Sequence, residues 1–297
     1  MILPPYLVKG DKIAIVSPAR KISVEELSPA LEQIRNWGFE PVLGKNVYCI
    51  SDQFAGTDEQ RLSDMQWALN DNSISAILAS RGGYGCLRLI DKLDFTQFIN
   101  KPKWIVGYSD LTVFHSHINK QYNVATIHAT MPINFAKDKG STNSILNALT
   151  GIANSYNFSR EGSKIAGEVN GIVVGGNLSL LYAMQGSSSD IDTKGKLLFI
   201  EDLDEHLYHI DRMMVSLKRS GKLSNLKALL VGSFTEMKDS DIPFGKSAKE
   251  IVLDAVKECN YPVFFNFPSG HQDLNCAIVF GKESSITING KNYVFTQ

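Results

Sequence analysis

The sequence predicts an α/β protein in two parts, an open parallel sheet followed by a second α/β unit richer in strands. Three observations carry that prediction. Short apolar runs alternate with amphipathic stretches through the first half, as strands feeding crossover helices do. Two of the intervening stretches open on an S/T-x-x-E/Q capping box. From about Ser155 the apolar runs come closer together, so strand content rises. At 297 residues and 43% hydrophobic content, the chain has the length for two domains and enough apolar material for buried cores.

The runs read as strands in the first half are Lys12 to Ser17, Glu40 to Leu43, Ala76 to Ala79, Trp104 to Gly107 and Ala125 to His128. Ser23 with Glu26, and Thr57 with Gln60, mark helix starts because each pair satisfies orphan backbone amides reciprocally. In the second of these helices Leu62, Met65, Ala68 and Leu69 recur at helical spacing and predict a face packed on the sheet. A boundary is expected within Lys137 to Tyr156, giving units 1–150 and 151–297, although no long Gly/Ser-rich or Pro-rich linker marks it. Beyond it, strands are expected at Gly167 to Val174, Lys196 to Ile200, Ala228 to Phe234, Val263 to Phe267, Ala277 to Phe280, Ser285 to Ile288 and Tyr293 to Phe295. Helices are expected at Tyr208 to Ser220, with Ile210, Met213, Met214 and Leu217 inward, and at Ser247 to Glu258.

Composition excludes several function classes. Thirty Lys plus Arg stand against 31 Asp plus Glu, with no dense basic run to track a phosphate backbone, so nucleic acid is not an expected partner. No apolar run approaches the ~20 residues of a membrane span, and the opening MILPPYLVKGD lacks the charged-then-apolar pattern of a signal peptide. Cys49, Cys86, Cys259 and Cys276 are scattered without C-x-x-C or nearby His at ligand spacing, which predicts free thiols and no metal centre.

Ligands of an open parallel sheet bind beyond the carboxyl ends of its strands, so residues just after each strand have first claim on chemistry. Three turns stand out. Ser80-Arg81-Gly82-Gly83-Tyr84-Gly85 carries three glycines in four positions and can bring amides close to an anion or oxyanion. It meets neither the G-x-x-x-x-G-K-[ST] nor the G-x-G-x-x-G spacing of phosphate loops, and a plain tight turn is the competing reading. Gly107-Tyr108-Ser109-Asp110 joins a strand to a helix beginning near Leu111, which would place Ser109 on a sharp turn with the Asp110 amide facing developing negative charge. Leu111 breaks the G-x-S-x-G elbow, and Ser109 or Asp110 could simply cap the helix. The third turn, Glu201-Asp202-Leu203-Asp204-Glu205, offers four carboxylates that could orient a histidine, and spacing does not choose among them or against a solvated acidic loop. For the base, His271 lies in a loop beyond a strand, His128 ends a strand and competes, His115 and His117 fall inside a helix, and His206 and His209 flank the start of another.

Taken together these segments resemble the LD-carboxypeptidase family of serine peptidases, whose relatives include the microcin-immunity hydrolases. The resemblance runs through Gly10-Asp11-Lys12, Val16-Ser17-Pro18-Ala19, Ala55-Gly56-Thr57-Asp58 with Arg61 and Asp64, and Arg81-Gly82-Gly83-Tyr84-Gly85. It continues through Gly107-Tyr108-Ser109-Asp110, Gly175-Gly176-Asn177-Leu178, Glu201-Asp202, Tyr208 with Ile210-Asp211-Arg212, and Gly270-His271 with Asn275. One departure is His128-Ala129-Thr130, where relatives commonly carry His-Gly-Pro.

The resemblance implies a flavodoxin-like first domain carrying Ser109 as nucleophile, and a second domain carrying Glu201 and His271. It implies an oxyanion hole from amides around Gly83 and Asp110, and no cofactor. It further implies cleavage of a terminal D-alanine from a cytoplasmic murein tetrapeptide, and a homodimer. A carboxypeptidase needs a cation for the free carboxylate, and Arg81 is the candidate, with Arg212 behind it because a helical arginine more readily forms a structural ion pair. Hydrolysis of a peptidyl-nucleotide and non-catalytic peptide binding are the alternatives, the former disfavoured by the short chain.

Overall fold

The computed structural model describes residues 1–160 and 167–297. The first half runs β1 (Lys12–Val16), α1 (Val24–Asn36), β2 (Glu40–Leu43), α2 (Asp58–Asn70), β3 (Ile74–Ala79), α3 (Thr96–Asn100), β4 (Trp104–Gly107), α4 (Thr112–Tyr122), β5 (Thr126–His128) and α5 (Lys139–Thr150). The second runs β6 (Ser155–Ser159), β7 (Val169–Asn177), α6 (Leu178–Ala183), β8 (Leu197–Leu203), α7 (Leu207–Arg219), β9 (Ala228–Thr235), α8 (Ala248–Val256), β10 (Val263–Phe264), β11 (Ile278–Phe280), β12 (Glu283–Asn289) and β13 (Asn292–Thr296).

Two sheets result. The first has the order β2-β1-β3-β4-β5-β11, parallel except at its last member. Its central strands β1, β3 and β4 are mostly apolar and buried, as a sheet covered on both faces requires. The order reverses between β1 and β3, which opens the crevice typical of flavodoxin-like sheets at their carboxyl ends. The second sheet, β10-β9-β8-β7-β12-β13-β6, is parallel through β7 and antiparallel beyond it.

Both capping boxes form with reciprocal bonds, at Ser23/Glu26 and at Thr57/Gln60. Met65, Ala68 and Leu69 of α2 are buried, as are Ile210, Met213, Met214 and Leu217 of α7. Differences from the sequence reading have local causes. The stretch expected to hold a boundary contains α5, whose entry is capped by the Asp138 carboxylate and whose exit is turned by Gly151 at φ 80°. Pairing at β10 stops at Phe264 because Asn266 adopts φ 58° and the Phe267 amide instead bonds to Val231. Strand β11 leaves the second half of the chain to pair with β5 in the first sheet.

The halves are tied where the cleft forms. Helix α4 lies against β7: the Thr112 hydroxyl accepts from the Asn177 amide at 3.0 Å, and a Cβ on Gly176 would sit 2.5 Å from that oxygen. Ser141 accepts from the Asn275 amide and Ser144 from the Ala277 amide, both at 2.8 Å.

Thr57→Ala removes the side-chain acceptor of the α2 box and is expected to lower unfolding stability by about 1 kcal/mol. Urea midpoints check this, with Thr57→Ser retaining most of the stability.

Candidate active site

A cleft of ≈ 440 Å³ opens where the carboxyl ends of β1, β3 and β4 meet those of β7 and β8. Ser109 and His271 both line it, with the glycine loop on one side and Asp202 to Glu205 on the other.

Ser109 stands at φ +62°, a region that costs a non-glycine residue about 1–3 kcal/mol. The turn is built to hold it there. Gly107 precedes it at φ 155°, and a Cβ at that glycine would lie 2.8 Å from Leu111. A Cβ on Gly82 would lie 3.1 Å from Ser109 Oγ, so only glycine lets the loop after β3 approach the hydroxyl so closely. Neither Ser109 nor Asp110 caps a helix: the N-cap of the 3-10 turn Ser109–Leu111 is Tyr108, that of α4 is Leu111, and neither has a side-chain cap bond. The Asp110 carboxylate points inward and accepts from the Cys86 amide at 2.8 Å, while burial raises its pKa. The amides of Gly83 and Asp110 have no backbone acceptor among the described residues.

The acidic run is divided among different partners. Glu201, fully buried inside β8 at a register shift against β9, accepts from both the His271 amide at 3.2 Å and His271 Nδ1 at 2.6 Å. Asp202 takes Asn177 at 2.9 Å and Ser179 at 2.8 Å, and burial followed by the charge of Glu201 raises its pKa to about 6. Asp204 pairs with Lys238, and Glu205 with His209. A Cβ on Gly270 would fall 2.9 Å from Glu201 Cβ and 2.5 Å from Ser233 Oγ, so glycine is needed for the histidine loop to reach the glutamate.

Burial works against the charge of His271, but Glu201, then Asp202 and Glu236, outweigh it and leave the imidazole pKa raised. With Nδ1–H donated to Glu201, Nε2 carries the free lone pair. The Tyr108 ring packs on this imidazole at 4.7 Å and its hydroxyl accepts from Asn134 at 3.0 Å.

The other histidines sit elsewhere. His128 is fully buried among aromatic rings, neither nitrogen has a hydrogen-bond partner among the described residues, and burial keeps it neutral. His115 bonds to the Gly107 carbonyl at 2.8 Å, and His117 bonds to Ser189 at 2.9 Å. Arg81 lines the cleft, yet its guanidinium donates to the Lys21 carbonyl at 3.2 Å and lies 3.9 Å from Glu26. Arg212 stacks over Tyr208 at 5.3 Å. Sequence reasoning did not single out Arg20, Tyr108, Asn134 or Ser179; Tyr108 adjoins Ser109 in the chain, whereas nothing in the pattern around Arg20 marked it. Among the described residues no cluster of three His, Cys, Asp or Glu could hold a metal ion, and no helix is long and apolar enough to cross a membrane. The four cysteines are free.

Comparison with known proteins bears on this arrangement. The family model of the LD-carboxypeptidase N-terminal domain matches residues 13–129, and that of the C-terminal domain matches residues 170–286. The chain belongs to the LD-carboxypeptidase family. It is 31% identical over 302 residues to a probable murein peptide carboxypeptidase of Bacillus subtilis, covering 98% of this chain and 93% of that protein. It is 29% identical to a murein tetrapeptide carboxypeptidase of Pseudomonas aeruginosa, covering 94% of each. Among solved structures, the muramoyltetrapeptide carboxypeptidase from Oxalobacter formigenes superposes with a TM-score of 0.86 at 27% identity, covering 96% of this chain and 98% of that one. The microcin C7 self immunity protein MccF in complex with aspartyl sulfamoyl adenosine shares the fold at a TM-score of 0.88 and 22% identity, covering 100% of this chain and 99% of that one. As a member of the LD-carboxypeptidase family the protein is a peptidase.

The raised pKa of His271 has a sign that can be checked. The Glu201–imidazolium contact adds stability fully below the ordinary histidine range, near 6.5, and loses it as pH rises through the folded value. NMR titration of His271 is expected to give a midpoint above 6.5, and Glu201→Gln is expected to lower it.

Proposed function

We propose that the protein is a serine-type LD-carboxypeptidase that releases the terminal D-alanine of murein tetrapeptides in peptidoglycan recycling. The observation that carries this reading is His271, held by the buried Glu201 and sharing one cleft with a serine at positive φ on a strand-to-helix turn. In this reading residues 1–150 form the unit that supplies the nucleophile, and residues 151–297 form the unit that supplies the base and its orienting carboxylate.

The chemistry is acyl transfer. His271 Nε2 takes the Ser109 proton as Oγ attacks the carbonyl between the diamino acid and D-alanine. Glu201 fixes the tautomer and stabilises the imidazolium that forms. The Gly83 and Asp110 amides donate to the oxyanion, and their lack of backbone acceptors leaves them free to do so. The imidazolium returns its proton to the departing amine, and water, activated by the same base, releases the shortened peptide. Among the described residues no hydrogen bond joins Ser109 and His271, and in this mechanism that contact forms as the substrate is engaged. The free carboxylate calls for a cation, and Arg20 and Arg81 stand on one side of the cleft. A cytoplasmic location and a homodimer complete the reading and rest on family resemblance alone.

A second reading, hydrolysis of a peptidyl-nucleotide, draws on Tyr84, a half-exposed ring on the cleft wall that could stack on a base. Mass spectrometry decides between them. Wild-type protein incubated with L-Ala-D-Glu-meso-diaminopimelate-D-Ala is expected to lose one alanine, and Ser109→Ala is expected to reduce kcat by about 10⁴-fold or more. An intact tetrapeptide alongside a cleaved aminoacyl sulfamoyl nucleoside would transfer the assignment to the second reading.

A further inference from the structure

The cleft has two charged walls, and they are not equally committed. Asp202, Asp204 and Glu205 line one wall, where a substrate carboxylate would be repelled. Arg20 and Arg81 line the other. Of these two cations, Arg81 is drawn back toward α1 by the Lys21 carbonyl and Glu26. The Arg20 guanidinium has neither an ion pair nor a hydrogen bond among the described residues.

Arg20 also stands where the departing residue must lie. It lies in the turn after β1, past Ser17, Pro18 and Ala19, beside the switch point between β1 and β3, and its amide is anchored to the Gly82 carbonyl at 3.4 Å. Its Cγ and Cδ pass 2.5 and 2.6 Å from the place a Gly83 Cβ would occupy, so the side chain lies across the glycine whose amide meets the oxyanion. In a peptide cut at its last bond, the terminal carboxylate lies only two bonds beyond the departing nitrogen. The group that reads it therefore has to stand beside the oxyanion loop, and the Arg20 stem occupies that position.

We infer that Arg20 is the specificity-determining residue that receives the substrate's terminal carboxylate. The inference rests on the carboxypeptidase reading of the same cleft. It also orients the peptide, with the free acid at the β1 exit and the amine-bearing part of the chain toward Asp202 and Glu205.

The test compares the tetrapeptide acid with its C-terminal amide, using wild type, Arg20→Ala, Arg20→Lys and Arg81→Ala, with thermal melts as a folding control. Wild type is expected to prefer the acid. Arg20→Ala is expected to lower the acid-over-amide ratio of kcat/KM by about 10- to 100-fold, the range of one charge-assisted hydrogen bond, and Arg20→Lys to recover part of it. A ratio unchanged in Arg20→Ala, or one lost in Arg81→Ala and kept in Arg20→Ala, overturns the assignment while leaving the carboxypeptidase reading intact. A wild type that cuts neither peptide removes the carboxypeptidase reading and the inference with it.

Discussion

A carboxylate without solvent can persist only where donors converge on it, and Glu201 is fully buried. One of its oxygens accepts twice from the same residue, the backbone and the ring of His271, while the other has no partner among the described residues. The stability of that buried charge therefore depends on a histidine contributed by a separate loop. The same dependence fixes the ring: with Nδ1 committed to the glutamate, its tautomer and orientation are set together, and the lone pair on Nε2 is what remains for chemistry. Pulling the loop away would leave an uncompensated buried charge, a cost of several kcal/mol in comparable pairs.

The surrounding architecture serves that contact. Residues 267–276 are held to the end of β9 by bonds from Phe267 to Val231 and from Ser233 to Ser269, both 3.1 Å. Asn275 draws in the Ser269 hydroxyl and the Gly270 amide at 3.0 and 2.9 Å, so the turn is closed on itself. The serine arrives from the opposite sheet on a turn equally fixed, with α4 pressed against β7 through Thr112 and Gly176. The two sheets thus present their carboxyl ends to one crevice, and Ser109 and His271 lie on connections from those ends, where position is well determined.

Much of this was legible in the chain. Apolar runs gave the parallel strands because a sheet covered on both faces needs continuous hydrophobicity. Ser23/Glu26 and Thr57/Gln60 announced their helices because capping is a local interaction written within four residues. What escaped depends on distance in sequence. Strand β11 reads as one more run of the second half, and only the exposed edge of β5, some 150 residues earlier, draws it into the first sheet. Helix α5 was hidden in a stretch of mixed polarity, and its clearest signals are the Asp138 cap and the Gly151 exit. In the acidic run, spacing left four carboxylates equivalent; a register shift in β8 and the absence of a side chain at Gly270 are what bring Glu201 alone to the imidazole. Arg20 carried no motif of its own, and no sequence pattern records that its side chain packs on Gly83 while its guanidinium lacks a hydrogen bond or ion pair among the described residues.

The residue after the serine explains how the glycine loop stays in register with the turn that carries Ser109. Asp110 sends its carboxylate back to the Cys86 amide, tying the end of the glycine loop to the turn that holds Ser109. Burial disfavours its charge and leaves its pKa raised, although hydrogen bonding to Cys86 and then the charge of Arg61 oppose that shift. Arg61 is itself buried, bonded to the Pro18 carbonyl at 2.7 Å, paired with Asp58 and stacked over Phe54 at 4.8 Å. Ser17 and Ser80 share a 2.6 Å hydrogen bond between the ends of β1 and β3. The exits of β1, β3 and β4 are therefore linked by buried polar contacts that reach back to α2, and any shift of the glycine loop would have to break bonds that water cannot replace. In the proposed mechanism the amides that would meet the oxyanion and the serine that would create it are thus joined by these contacts, which is the preorganisation that electrostatic catalysis requires.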